Sequence, residues 1–497
     1  MSFRTGAVKD NPSGRRYTKD RMETQYFLNR FHVTVPQLEQ LAGTSLSQGG
    51  DFADLYFEHT VYNDLLLRDH EVSSGGFHID YGVGIRVLKG DKTGYAYSEN
   101  TEMPDMLCAA RAAAQIAQAN VMPDGHSYRI KGSGPCHRQD TYYHAGKMWS
   151  DSEAPAFIPI LKKLESMILT RDSRAVKVIA RLAWSESDIM MYNSFGELTC
   201  DFRPMGSIVV SVIFSENGQN ENKTSSRSFR TGAEMITDKL LEEMAEEAVS
   251  GIDARFQAVR PKGGKMPVVM GAGASGILLH EAMGHAFEAD FNRKGQSVFA
   301  GMIGKQVCNP SISIVDDGTL PGNRGACNYD DEGVPGQKTY MVRDGVLESY
   351  LHDRISARWY GVPPTGNGRR ESFRFNPIPR MRATYMENGE ATKDDIIASV
   401  RKGIYVDEFS NGQVKIGEGD FTFYVKSGFM IENGHLTAPV KDINIIGNGP
   451  QALADITAVA DDLRVDNGTW TCGKDQNVPV SCGIPTVLVR SLTVGGE

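Results

Sequence analysis

Two histidines five residues apart, His280 and His285 in the segment HEAMGH, constrain this chain more than any other stretch. A zinc hydrolase needs neutral imidazole ligands, an open coordination position for water and a carboxylate beside that water. The HExxH pattern supplies them because positions i and i+4 share a helix face. Around a regular helix, i+4 lies about 40° from i and i+5 about 140°. The observed spacing therefore either rules out a shared ion or demands a distortion. A π-turn would restore convergence, and such bulges gather at functional sites. Gly284, just before the second histidine, is where a backbone distortion costs little. We expect a π-bulge or an equivalent distortion between His280 and His285; the alternative is two ordinary surface or capping histidines. The expected helix, 277–289, follows an apolar strand over 266–270 and a glycine turn, a common mounting for an active-site helix. Glu288 and Asp290 add carboxylates able to orient an imidazole.

The glycine turn GAGASG (271–276) also matches GxGxxG after a strand and before a helix, the context of a dinucleotide site. That fingerprint wants a second strand ending in an acidic residue about 20 residues on. Asp290 stands at that distance, but AFEADFNRK is not a buried strand. The glycines are read instead as permitting close strand–helix packing. DDG (316–318) and DDEG (330–333) lack EF-hand spacing and read as acidic turns.

At 497 residues the chain exceeds one ordinary core. RPKGGK (260–265) is short, basic and rich in breakers, and it divides the chain into 1–258, a mixed α/β half with a possible subdivision near 120–145, and 259–497, a β-rich half carrying the site helix. The fold class expected is α+β. In the first half, strands are expected over 51–59, with a hairpin at 84–89 and 94–97, and helices over 103–120, 154–170 and 233–254. A meander of four short strands is expected within 176–214. Short helices are expected near 350–358 and 393–401. The net charge of −9 argues against a nucleic-acid surface. No apolar run approaches the roughly 18 residues of a membrane span. The N-terminal stretch, with Arg15-Arg16 but no hydrophobic segment behind it, reads as a loose arm of a cytoplasmic protein. The seven cysteines are scattered without a CxxC pair, which favours reduced thiols over a disulfide framework.

The segments HEAMGHAFEADFNRKGQSVFAG, SIVDDGTLPG, DDEGVPGQ, PTGNGRRES, NGQV and NGTWTCGKDQNVPVSCGIPTVLV occur in an order that resembles the TldD/PmbA family of metallopeptidases. DFADLYFEH and GVGIRVLKG carry the resemblance more weakly into the first half. Retention of HExxxH makes the chain similar to the TldD-type member rather than to its PmbA/TldE-type partner. The resemblance implies a third metal ligand, Cys472 of TWTCGKD, which the residues alone would not single out from Cys308, Cys327 or Cys482. It implies Zn²⁺ held by His280, His285 and Cys472, with Glu281 as general base. It also implies short or unfolded peptides as substrates and a homodimer, or a heterodimer with a PmbA/TldE-type paralogue. In GNGRRES, Arg369 and Arg370 read either as a solvated turn or as substrate-binding groups for a peptide carboxylate or oxyanion. Two other functions stay open: a regulatory subunit with a closed, structural metal, and a zinc amidohydrolase acting on non-peptide amides.

Overall fold

The computed structural model describes residues 23–118, 137, 141–415 and 418–495. The expected N-terminal arm and most of the 120–145 segment lie outside the described residues. The fold is α+β, as expected, with the second half rich in strands.

The first half is built on one antiparallel sheet of six strands. These are β1 (Phe52–Arg68), β2 (Glu71–Lys89), β3 (Lys92–Ser98), β4 (Ala175–Asn193), β5 (Leu198–Glu216) and β6 (Gln219–Phe229), in the order β3-β2-β1-β4-β5-β6. The strands are far longer than expected. β1 runs on into β2 through the two-residue turn Asp69-His70, both at positive φ, the mirror-image turn that suits strand twist. The four short strands expected within 176–214 are a single hairpin, β4–β5. The breaks between the expected strands are ladder positions: Ser185–Ser187 pair with Arg203–Met205 across the hairpin.

Alternation along these strands separates two faces. Leu55, Phe57, Leu65 and Leu67 of β1 point to one side, under helices Thr24–Arg30, Val35–Leu46, Met103–Gln118, Ile158–Arg171 and Asp238–Val249. Burying a side chain such as Phe57 contributes about 1.5–3 kcal/mol. The other face carries Tyr56, which packs with Ile189, Met191 and, from the second half, Tyr329 and Phe373. The single helix expected over 233–254 is interrupted. Gly251, at φ +72°, ends one helix and starts the next, Ile252–Gln257.

In the second half, strand β7 (Gly264–Met270) belongs to a ring of pairings. Lys402–Val414 pairs with β7, β7 with Val487–Gly495, that strand with Ile443–Asn448, and this with Asp420–Glu432, which returns to Lys402–Val414. The ring encloses Val268, Met270, Ile404, Val406, Phe423 and Ile445. A second sheet of mixed direction contains Ile314–Asp317, Ala383–Met386 and Ser481–Ile484. The helix that leaves the glycine turn packs against this second sheet. Gly276 sits so close to Gly483 that a Cβ would lie 2.5 Å from its backbone nitrogen. Close strand–helix packing is thus what this glycine permits. The helices expected near 350–358 and 393–401 are Arg354–Tyr360 and Lys393–Ala398. Among the described residues, no helix is long and apolar enough to cross a membrane.

Candidate metal centre

The expected helix over 277–289 is three pieces. An α-helix spans Gly276–Ala282, a 3₁₀ turn spans Gly284–Phe287, and a short helix follows at Ala289–Arg293. Met283, at φ −130° and ψ −43°, is the break between the first two. The distortion is therefore an interruption rather than a π-bulge. Gly284, the next residue, lets Met381 pack against the break, because a Cβ there would lie 2.2 Å from the sulfur of Met381. With the helix broken, the two rings converge, their centroids 5.3 Å apart at an interplanar angle of 81°.

The strand pair Thr471–Lys474 and Gln476–Pro479 brings Cys472 to the same point from 187 residues away, with its Sγ 3.3 Å from His285 Nε2. One ligand atom each from His280, His285 and Cys472 fall within 4.8 Å of one another. A tetrahedral zinc with N and S ligands sets its donors about 3.3–3.6 Å apart, so the three need only small adjustments. Both ring nitrogens of His280 are buried without a hydrogen-bond partner. Buried polar atoms are rarely left so, except where an ion completes them. The residues present therefore fit a metal. Glu281 projects over the same point, Oε1 4.0 Å from His280 Nε2 and Oε2 3.9 Å from His285 Nε2. Its side chain is 31% exposed whereas those of the histidines are 4% or less, so the centre opens on the Glu281 side.

A buried charge relay supports the triad. Glu288, with no exposure, accepts from His285 Nδ1 at 2.9 Å and from Lys474 Nζ at 2.9 Å. Lys474 also donates to Asp290 Oδ1 at 2.8 Å. Burial opposes ionisation of Glu288, but Lys474 and then His285 hold its carboxyl down at about 2. Burial likewise opposes charge on His285, yet Glu288 and Cys472 raise it to about 10. The Cys472 thiol, which burial would push up, is pulled down to about 4 by His280 and His285. Cys308 and Cys327, with no such neighbours, are pushed up by burial to about 12 and about 11. Lys474 and Arg380 are the functional neighbours that sequence reasoning missed. Strand alternation in Thr-Cys-Gly-Lys, which puts Lys474 on the face of Cys472, was the available signal. Arg380 is wholly buried and donates to the carbonyls of Cys472 at 2.6 Å and Gln476 at 2.7 Å, clamping the pair of strands.

Arg369 and Arg370 are not brought to the triad. Arg369 donates to the carbonyls of Met381 at 2.5 Å and Pro479 at 2.7 Å. Arg370 lies over the Tyr56 ring and donates to the Asp331 carbonyl at 3.0 Å. Both are buried, so the loop is not a solvated turn. The acidic segments brace this loop: Asp316 accepts from Asn367 and Thr384, and Asp330 accepts from the backbone of Glu332, Val334 and Gly368.

Models of the PmbA/TldA metallopeptidase domain 1, central domain and C-terminal domain match residues 53–117, 149–254 and 263–496. A Haemophilus influenzae protein named metalloprotease TldD homolog is 38% identical over 488 residues, covering 96% of this chain and 98% of the relative. The chain belongs to the TldD/PmbA family. Another member, the zinc metalloprotease TldD homolog of Saccharolobus solfataricus, is 33% identical over 48% of this chain and 53% of its own length. Among solved structures, TldE from Thermococcus kodakarensis shares the fold at a TM-score of 0.71 and 20% identity, covering 93% of this chain and 100% of that one. A Thermotoga maritima protein described as a candidate modulator of a DNA gyrase shares it at 0.74 and 22%, covering 93% and 99%. The sequence relatives carry the metalloprotease name, and the broken HEAMGH helix lies inside the C-terminal match.

Proposed function

We propose that this chain is a zinc peptidase that cleaves short or unfolded peptides. The observation that carries the reading is Glu281, a partly exposed carboxylate about 4 Å from both imidazoles, beside His280 whose ring nitrogens have no partner. His280, His285 and Cys472 would hold the ion. When bound, zinc supplies Lewis acidity, acidifying water and polarising a carbonyl. Glu281 takes the proton of the attacking water on its carboxylate and passes it to the departing amine. Glu288 fixes His285 by accepting from Nδ1, which leaves Nε2 facing the ion. Lys474 keeps Glu288 charged, and Arg380 holds the Cys472 strand in register. A thiolate ligand gives more charge than an imidazole, so with Cys472 as a ligand a bound ion would be a milder Lewis acid than in a three-histidine site. The family membership supports a dimer, either of this chain or with a PmbA/TldE-type paralogue, which mass measurement of the purified assembly tests.

The deciding experiment replaces Glu281 by Gln. Metal content and melting temperature should stay at wild-type values while peptide hydrolysis falls by about 10²–10⁴-fold. Metal loss would make Glu281 a ligand, and full activity would remove it from the chemistry. A peptide panel set against small non-peptide amides separates a peptidase from an amidohydrolase.

A further inference from the structure

A cavity of about 420 Å³ lies between the polar face of the first-half sheet and the loops of the second half. None of His280, Glu281 or His285 lines it, although Thr471 and Val478, from the strand pair that carries Cys472, do. Seven arginines reach its wall. Arg181 stands at the rim with its side chain 56% exposed. Two of the others are neutralised: Arg203 pairs with Asp201 at 2.7 Å and Asp331 at 2.5 Å, and Arg370 lies 3.9 Å from Asp54.

The remaining four have no carboxylate partner among the described residues. Arg369 spends its donors on two backbone carbonyls. Arg382 donates Nε to the Gly366 carbonyl at 2.7 Å. Arg324 donates to the Trp470 carbonyl at 2.9 Å and to the Ser228 hydroxyl at 2.6 Å. Arg230 is only 9% exposed and its guanidinium has no hydrogen-bond acceptor; Nε is buried without a partner. It lies over the Tyr143 ring, whose centroid is 5.6 Å away.

Guanidinium groups stay protonated in proteins, so unpaired ones in a closed space leave positive charge uncompensated. The strain shows in their acidities. Burial, then Arg203 and Arg382, lower the pKa of Arg230, with Tyr143 and Asp201 opposing them. Burial and then Arg230 lower Arg324 to about 10. Four carboxylates share the lining and most are already engaged. Asp331 pairs with Arg203, Asp64 lies 3.5 Å from Arg181, and Glu371 accepts from the Asn477 backbone N–H. Burial pushes Glu58 up to about 7, so it carries only part of a charge at neutral pH. Behind the wall, Asp316 and Asp330 lie near Arg382, and burial raises both.

We propose that this cavity is a binding site for an oxyanion, a carboxylate or phosphate group seated against Arg230, Arg324 and Arg382. Planar guanidinium forks suit such groups, and a single anion would relieve repulsion among several of them at once. Arg369 and Arg370 form part of the same wall and hold the loop that shapes it. Two sources share this chemistry: the terminal carboxylate of a peptide, and a free phosphate-bearing molecule. The proposal does not depend on the peptidase reading, because binding is measured without turnover.

The test is calorimetric titration and thermal melting of the full-length protein with inorganic phosphate, and with one short peptide as its free acid and as its C-terminal amide. If phosphate binds and raises the melting temperature, a free anion is the occupant. If the free acid binds at least about tenfold more tightly than the amide, a peptide terminus is. In either case Arg230→Gln and Arg324→Gln should each weaken the effect about tenfold or more. Arg230→Gln should not melt below the ligand-free wild type, since it removes an uncompensated charge. Should Arg230→Gln fail to fold, the less buried Arg324→Gln decides. The proposal is overturned if phosphate neither binds nor stabilises and acid and amide bind alike, or if anion binding survives unchanged in the variants.

Discussion

Lys474 offers the sharpest test of how the metal centre is held together. Its ammonium is 3% exposed and touches Glu288, Asp290 and the Pro379 carbonyl. Replacing it by Met keeps most of the volume and removes the charge. Glu288 then faces burial with only His285 as its partner. The ordinary carboxyl value of 4.5 is held down to about 2 in the folded protein, burial opposing this and Lys474 being the first of the groups that overcome it. That gap corresponds to about 3 kcal/mol at neutral pH. Because the folded value lies below the unfolded one, this stabilisation is complete above about pH 4.5 and is lost as the pH falls through about 2. Lys474→Met should therefore cost about 3 kcal/mol at pH 7, in line with breaking a buried ion pair. The cost should shrink steadily below pH 4.5.

A double-variant cycle then separates charge from packing. Glu288→Gln in the Lys474→Met background removes the stranded carboxylate and should recover a large part of the lost stability. It also deprives His285 of its carboxylate, so metal affinity should stay about 10–100-fold below wild type. Urea unfolding across pH gives the stabilities, and competition with a chelator gives the affinities. A single-variant cost under about 1 kcal/mol, or a double variant no more stable than Lys474→Met, would refute the claim that Lys474 keeps Glu288 charged.

Cys472→Ala should lose zinc on dialysis against a weak chelator and should melt lower than wild type only when zinc is supplied. Cys308→Ala and Cys327→Ala, whose thiols have neither His280 nor His285 beside them, should keep their metal; loss from either one with retention by Cys472→Ala would move the third ligand. Glu58→Gln should gain stability relative to wild type as the pH rises from 4.5 through about 7, by up to about 3 kcal/mol, because burial raises the folded value of Glu58 above its unfolded one. A flat difference in denaturant midpoints between pH 4 and pH 8 would contradict this. Gly276→Ala, whose Cβ meets the Gly483 backbone, should cost about 1–3 kcal/mol and lower zinc retention by shifting the helix that carries His280. Unchanged melting and metal content would show that this contact does not position the site.

What the sequence made legible, and what it hid, follows from the range of the interactions involved. The spacing of His280 and His285 required a distortion because helix geometry is local; the break falls at Met283, beside Gly284, whose lack of a Cβ leaves room for the sulfur of Met381 from another segment. The carboxylate three residues after His285 was also within local reach, and it does orient that ring. Cys472 was different. Nothing nearby distinguishes it from five other described thiols, and only the folded strand pair carries it to the imidazoles, so family resemblance had to nominate it. The length of β4 and β5 was hidden for a related reason. Ser185–Ser187 is polar and Pro204 interrupts the second run, so each pattern breaks where the strand in fact continues. Here the polar face of the sheet is covered by the second half, and the same polarity lines the arginine cavity. The loop at 366–372 follows this logic too. Its arginines looked equally suited to solvent or to substrate, and burial removes the first alternative by turning them inward, onto carbonyls and the cavity wall. Ser185, Ser187, Arg203 and the arginines of the 366–372 loop thus lie where the two halves of the chain meet.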